Sequence, residues 1–312
     1  MQLDVSIVLE LDNARQVGDG PAERLIAAVA AELAASARTA ELIVVHDPAC
    51  VPAGVAERLL ARWPFPAGQT LALPGGRYYT LKNAGAAQAR GAVVLFLDSD
   101  IVIEPGFVAA LLDPFAAPNV SAVTSECVVG PLDTRLSRAM ALTWIFPVRS
   151  DDRDLRPALV VNANSFALRR EVALAYPFAV DVRYRGACAE LGAELRSRGI
   201  TTWQAHAAKC NHPSPQGLGG AARRALWTGY DIALNRRRAG APMAPPAQAA
   251  RALGRSLDGA WTRIRAGAAR VGAPRRELPA LLVLAAGFEL TVRAGYLATR
   301  LFPKLVPALL TR

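Results

Sequence analysis

The sequence predicts an α/β fold: a mostly parallel sheet flanked by helices, then a helical C-terminal extension. Three observations lead there. Apolar runs of strand length recur at residues 5–11 (VSIVLEL), 42–46 (LIVVH) and 92–97 (AVVLFL), with helical apolar spacing in the stretches between them. Uninterrupted apolar strands belong to parallel sheets covered by helices on both faces. Each run is followed directly by an aspartate, Asp12, Asp47 and Asp98, and in such sheets ligands bind beyond the carboxyl ends of the strands.

Residues 22–37, alanine-rich, read as the helix joining the first two strands, which makes a β-α-β opening. A second helical stretch at 52–63 precedes a short strand at 70–73 and a turn at Gly75-Gly76. Residues 82–90 read as a helix, and 92–97 as the buried strand that ends in Asp98-Ser99-Asp100. Further strands are expected at 119–129, 159–168 and 201–204. A helix begins over 169–175, and another runs 188–198, closed by Gly199 where a left-handed cap needs glycine. Around 239–250 (AGAPMAPPAQAA) the composition turns to Pro, Ala and Gly. The expected division is therefore a domain over 1–238, a linker over 239–250 and a basic, apolar helical region over 251–312.

With 312 residues, 52% hydrophobic and 20% charged, the chain can bury one large or two small cores and is not a disordered tail. Its 36 Lys and Arg against 26 Asp and Glu leave +10, and only Lys82, Lys209 and Lys304 are lysines. That balance favours an anionic partner, whether phosphate ester, nucleic acid or anionic bilayer, without choosing among them. Four dispersed cysteines, with no CxxC pair, indicate neither a zinc ribbon nor a disulfide scaffold, so reduced cytosolic thiols are expected. The opening strand lacks the features of a secretory leader, which places the expected catalytic part in the cytoplasm. GxGxxG and GxxxxGK are absent, arguing against a dinucleotide enzyme or P-loop ATPase. The arginine-rich stretch 251–276 lacks a recognised nucleic-acid module or interleaved aromatics, so no nucleic acid is expected. Residues 278–288 are uncharged but Glu289, Arg293 and Arg300 follow, leaving three arrangements open for the C-terminal helix: at the membrane surface, packed on the protein's own core, or spanning.

The sharpest chemical signal is Asp98-Ser99-Asp100. Carboxylates at i and i+2 just past a strand can point together into a cleft, where hard oxygen ligands suit Mg²⁺ or Mn²⁺ on a diphosphate. Asp-Ser-Asp also forms ordinary turns. The ordered segments around it resemble the family 2 glycosyltransferases over about the first 230 residues: VSIVLELDNA at 5–14, ELIVVHDP at 41–48, YYTLKNAGAAQARGAVVLFLDSDIVIEPGFVAALL at 78–112, NANSFALRREV at 162–172, and GACAELGAELRSRG through NHPSP at 186–215.

The resemblance implies a GT-A fold and transfer of a sugar from a nucleotide diphosphate-sugar donor, metal-dependent and inverting. The acceptor, a saccharide or lipid-linked, would lie at the cytoplasmic membrane face, in cell-envelope polysaccharide or glycolipid synthesis, with peripheral membrane contact through 251–312. Position by position it puts Asp47 near the nucleobase, Asp98 near the ribose and metal, Asp100 on the cation and His212 facing the metal or diphosphate. Asp12, Lys82, Asn83, Arg90 and Asn164 complete the implied donor-binding set, and Arg169 and Arg170 join Lys82 and Arg90 as candidate phosphate partners. Glu10 and His46 stand where relatives carry proline and aspartate and reshape the base pocket. The family's catalytic Glu-Asp pair falls on Ala187-Cys188. Glu190 is then first choice for the base that takes the acceptor's proton, with Cys188 and Asp181 behind it. A sugar-nucleotide-binding or scaffold protein with weakened catalysis is the alternative. Outside the implied site, Trp144 and Trp227 are weighed as sugar platforms or core residues, Arg223, Arg224 and Asp231 as an acceptor lip or a solvated face, and His206 as a surface residue.

Overall fold

The computed structural model describes residues 3–14, 18–180, 186–238, 240 and 246–310. It divides into two compact units. The first gathers the chain up to Cys127, the stretch beginning at Ser150, and Ala187–His212; the second gathers Val128–Arg149 and the chain from Pro213 onward.

The first unit is built on strands β1 (Val5–Glu10), β2 (Ala40–His46), β3 (Ala67–Ala72), β4 (Val93–Asp98), β5 (Val102–Ile103), β6 (Ala122–Val129), β7 (Leu155–Pro157), β8 (Ser165–Arg169) and β9 (Thr202–His212). They form one sheet in the order β3-β2-β1-β4-β8-β6-β9-β5, with β7 on β9. β1 pairs in parallel with β2 and β4, in a register that sets Glu10 beside Val45 and Asp98. β8 runs antiparallel to β4 and to β6. Helices α1 (Gly20–Ala35), α2 (Val55–Ala61), α3 (Tyr78–Gln88), α4 (Phe107–Leu112), α6 (Arg170–Ala175) and α7 (Ala187–Ser197) belong to this unit, while α5 (Arg135–Thr143) belongs to the second. β1, β2, β4 and β6 are buried along almost their whole length, as expected for strands covered on both faces.

Two glycines explain how closely α3 and its exit approach the sheet. A Cβ on Gly85 would stand 2.4 Å from Val8 Cγ1, and one on Gly91 would stand 2.5 Å from the backbone nitrogen of Ser6. Gly199 has φ +72°, the left-handed conformation expected after α7.

Three expected elements of the first unit have markedly different bounds. α3 starts at Tyr78, not 82, because Arg77 N donates to Thr80 Oγ1 (2.6 Å) and the two tyrosines are buried in its first turn. The strand expected at 159–168 is confined to Ser165–Arg169. Before it, Leu159 and Val160 are exposed and Asn164 N donates to Asn162 Oδ1 (3.3 Å), a local turn that competes with strand pairing. β9 continues to His212, far beyond 204. Its middle, with three alanines, is poor in β-branched residues, and partners across the sheet supply what propensity does not.

The second unit is helical. α8 (Gly217–Arg238), α9 (Pro246–Gly267), α10 (Leu278–Leu301) and α11 (Leu305–Leu310) join α5 in it. Residues 246–250 thus open α9, and 239 and 241–245 lie outside the described residues. α8 and α10 touch backbone to backbone: a Cβ on Gly229 would meet Val292 O at 2.1 Å, and one on Gly295 would meet Leu226 O at 2.5 Å. Arg138 of α5 pairs with the buried Glu277 just ahead of α10 (2.8 Å), and Arg293 of α10 donates to Ser256 Oγ of α9 (2.7 Å). Trp144 and Trp227 are buried here as core residues.

Any side chain at Gly295 must drive α8 and α10 apart. Gly295→Val is expected to destabilise the helical unit by about 3 kcal/mol, read as a lower thermal midpoint and faster amide exchange in α8 and α10.

Candidate active site

Asp98, the last residue of β4, is fully buried. Tyr78 and Lys82 lie at i and i+4 on α3, so one helical face carries both over the carboxylate. Lys82 Nζ donates to Asp98 Oδ1 at 2.8 Å, and Tyr78 OH reaches Oδ1 at 2.8 Å and Oδ2 at 3.0 Å. Asn164 Nδ2 donates to Asp98 Oδ2, while the Asn164 carbonyl accepts from Asp98 N at 2.9 Å. Asn13 Nδ2 bridges Asp98 Oδ2 and Asp100 Oδ1, each at 3.3 Å. Both Asp98 oxygens thus have donors that hold the carboxylate in one orientation.

Asp100 and His212, both buried, complete the group. His212 Nε2 stands 3.9 Å from Asp100 Oδ2, and ligand atoms of Asp98, Asp100 and His212 lie within 4.8 Å of one another. Two carboxylate oxygens and an imidazole nitrogen are a donor set for Mg²⁺ or Mn²⁺. At ligand distances of about 2.1 Å, Asp100 and His212 are close enough to share one ion, so the residues fit the cation. Three buried polar atoms without a partner, Glu10 Oε1, His46 Nδ1 and Ser99 Oγ, stand at the ends of β1 and β2 and just after β4. Such atoms are costly unless something binds them.

The charge balance is set beneath this surface. Burial, and then the negative charge of Asp98, push the Glu10 carboxyl well above its ordinary range, against the pull of Lys82. Burial and Asp98 likewise raise the Tyr78 phenol, which stays a donor. Glu10 Oε2 accepts from Asp12 N at 2.7 Å. Asp47 accepts from Ala49 N (3.0 Å) and Cys50 Sγ (3.1 Å). Asp12 and Asp47 therefore stand just past the ends of β1 and β2, on the edge where Asp98 lies.

Other expected site residues are elsewhere. Arg90 is corrected: its guanidinium holds the buried Glu41 at 2.6 and 2.8 Å, and its amide donates to the same carboxylate. Glu41 pairs with Ser6 near the amino end of β1, the wrong end of the sheet for a diphosphate. Arg169 donates to the carbonyls of Phe115, Ala117 and Val120, and Arg170 to that of Ala89, so both tie loops together. Lys82 is at the site but committed to Asp98. Asn83 exchanges two hydrogen bonds with the Phe178 backbone (2.8 and 3.0 Å) and pins that loop.

At the start of α7, Cys188 Sγ lies 3.1 Å from Tyr79 OH. Burial raises the thiol's pKa, while Tyr79 and Lys82 pull the other way, so at neutral pH it is a thiol and a poor base. Glu190 is half-buried in the first turn of α7, and Asp181 lies outside the described residues.

Tyr78 and Asn13 were not singled out in the sequence, although the i,i+4 pairing of Tyr78 with Lys82 is a readable signal. Nor was the network around buried Glu126, which accepts from Ser150 N (2.8 Å), Ser150 Oγ (2.6 Å), His206 Nδ1 (2.6 Å) and Lys209 Nζ (3.2 Å). His206 is thus a partner of a buried carboxylate, not an isolated surface residue. Its members are scattered from 126 to 209, with no local pattern to reveal them.

Residues 75–176 match the family model described as glycosyl transferase family 2. No curated protein matches the sequence. Among solved structures, the mannosyltransferase PcManGT from Pyrobaculum calidifontis, in complex with GDP-Man and Mn²⁺, superposes with TM-score 0.59 at 16% identity, over 97% of this chain and 88% of that one. Glucosyl-3-phosphoglycerate synthase from Mycobacterium tuberculosis, in complex with Mn²⁺, UDP-glucose and phosphoglyceric acid, superposes with TM-score 0.50 at 20% identity, over 77% and 81%. Identities this low establish the fold, which is the GT-A architecture.

Replacing Lys82 by Met leaves a buried carboxylate without its counter-charge, which is expected to cost about 3–5 kcal/mol, measured by denaturant unfolding. A folded-state pKa raised above the ordinary 4.5 means that Glu10's contribution to stability is complete below pH 4.5 and is lost as pH rises toward the folded value. Glu10→Gln, neutral throughout, should therefore gain stability relative to the native chain as pH rises above 4.5, and thermal midpoints across pH 4 to 8 read this directly.

Proposed function

We propose, from the match of residues 75–176 to the glycosyl transferase family 2 model and from the GT-A fold, that this chain moves a sugar from a nucleotide diphosphate-sugar to an acceptor at the cytoplasmic membrane face. The reaction is inverting and metal-dependent, in cell-envelope polysaccharide or glycolipid synthesis. The observation that carries the reading is the buried cluster of Asp98, Asp100 and His212 at the carboxyl edge of the sheet.

Asp98, Asp100 and His212 would hold the cation, and the hydrogen bonds of Lys82, Tyr78, Asn164 and Asn13 to Asp98 fix the carboxylate and the loop that presents Asp100. When bound, the cation offsets the negative charge that develops on the leaving diphosphate as the anomeric C–O bond breaks. Asp12, Asp47 and the unpartnered atoms of Glu10 and His46 provide polar groups for the nucleoside. Glu190 takes the acceptor hydroxyl's proton.

The second reading, donor binding without efficient turnover, is supported by the resemblance, which sets Cys188 where the family carries its catalytic aspartate, and by the half-buried thiol there, whose pKa is raised. Binding and turnover separate the two.

Titration with UDP-, GDP-, ADP- and dTDP-sugars, followed by thermal shift with and without Mn²⁺, is expected to show selective, Mn²⁺-dependent stabilisation by one nucleotide. Asp100→Ala and His212→Ala should abolish the Mn²⁺ dependence while leaving the fold intact; metal-dependent binding that survives Asp100→Ala would refute the reading. Glu190→Gln is expected to lower transfer by about 10²-fold or more with donor binding unchanged.

A further inference from the structure

Along α10 the residues turned to solvent are apolar. Val283, Leu290, Leu297 and Leu301 are 72%, 51%, 44% and 57% exposed, with Gly287 and Ala294 exposed between them. Together the six are spaced alternately four and three residues apart, so they form one stripe. The inner face, with Leu281, Ala285, Phe288 and Val292, is buried in the helical unit. A helix with one face packed on a core ordinarily shows polar residues on the other, and Phe302, 61% exposed, extends the apolar surface past the helix end.

The same part of the chain holds most of the charge. Residues 251–312 contain eleven of the 36 Lys and Arg but three of the 26 Asp and Glu, which places +8 of the net +10 in these residues. One of those three acids, Glu277, is buried against Arg138. Arg255, Arg263, Arg265, Arg270, Arg275 and Arg276 are exposed. Trp261, also exposed, stacks under Arg265 at 5.3 Å from its ring centroid, and amphipathic tryptophan suits the headgroup level of a bilayer.

We propose that the outer face of α10 is an interfacial docking surface for a bilayer of anionic lipids, its apolar stripe at the acyl boundary and the neighbouring arginines among the phosphates. It deepens the membrane-face part of the proposed function and rests on that reading for its purpose, though the surface itself is a property of the helical unit alone. Charge selects the occupant: a second copy would set +8 against +8, whereas anionic headgroups complement it. Arg275–Leu301 is, among the described residues, the one stretch long and apolar enough to cross a membrane. Its close backbone contact with α8 at Gly229 and Gly295 denies lipid access on that side, so α10 lies along the interface.

The test is co-sedimentation of the full chain with vesicles of phosphatidylcholine alone or with about 30% phosphatidylglycerol. Partition should be at least about tenfold higher on the anionic vesicles and fall in about 0.5 M NaCl. The double change Leu290→Asp, Leu297→Asp, on exposed positions, should reduce it about tenfold or more, and Arg255→Gln with Arg276→Gln should reduce the anionic preference without disturbing the stripe. Equal partition to neutral and anionic vesicles, undiminished binding by the aspartate variant, resistance to alkaline carbonate extraction, or a dimer abolished by the aspartate variant would each overturn the proposal. Nucleotide-sugar binding by the same proteins keeps the two readings apart. Docking without donor binding refutes the transferase reading, and donor binding without docking refutes this one.

Discussion

A buried ion pair organises the carboxyl edge of the sheet. Asp98 ends a strand that is inaccessible along its length, and its charge is tolerable there because Lys82, itself inaccessible, lies 2.8 Å away with Tyr78 and Asn164 beside it. A carboxylate in that position without a counter-charge would carry a desolvation penalty of several kcal/mol. The pair also fixes α3 over β4, and the same helix must come close enough for Gly85 to lie on Val8. One positive charge serves two carboxyls here. Asp98 takes it, and the Glu10 carboxyl in the adjacent strand is pushed well above its ordinary range.

Within the aspartate triplet the two carboxylates are held differently. Asp98 is the fixed point, and Asp100 is the residue set beside His212. Asn13, arriving from the loop after β1, ties the two carboxylates together. The most specific sequence segment, 78–112, thus encodes frame as much as chemistry. Within it Asn83 anchors a loop, Arg90 neutralises Glu41 at the far end of the sheet, and Gly91 permits a backbone approach.

The helical unit is held by a different principle. α8 and α10 pack through glycines at contact distance, and the buried Glu277 ties α5 to the start of α10. With its inner face satisfied this way, α10 presents apolar side chains outward, in a part of the chain that carries +8 of the net +10 charge.

Legible in the sequence were the α/β class, the parallel strands with their terminal aspartates, the candidate site at the carboxyl edge and the helical character of the C-terminal part. Those features are local: an apolar run of strand length, an aspartate directly after it and a helical period are each readable within a dozen residues. Tertiary structure decided which charged side chains reach the site. Arg90 and Arg170 look like phosphate ligands in a linear motif, yet each is used up by a partner far away in sequence, and Glu126 meets His206 and Lys209 only because β6 and β9 are neighbours in the sheet. The extent of β9, the turn at Asn162 and the exposed stripe on α10 were decided at the same level. Pairing partners and packed faces come from residues dozens to hundreds of positions apart, and no local period records them.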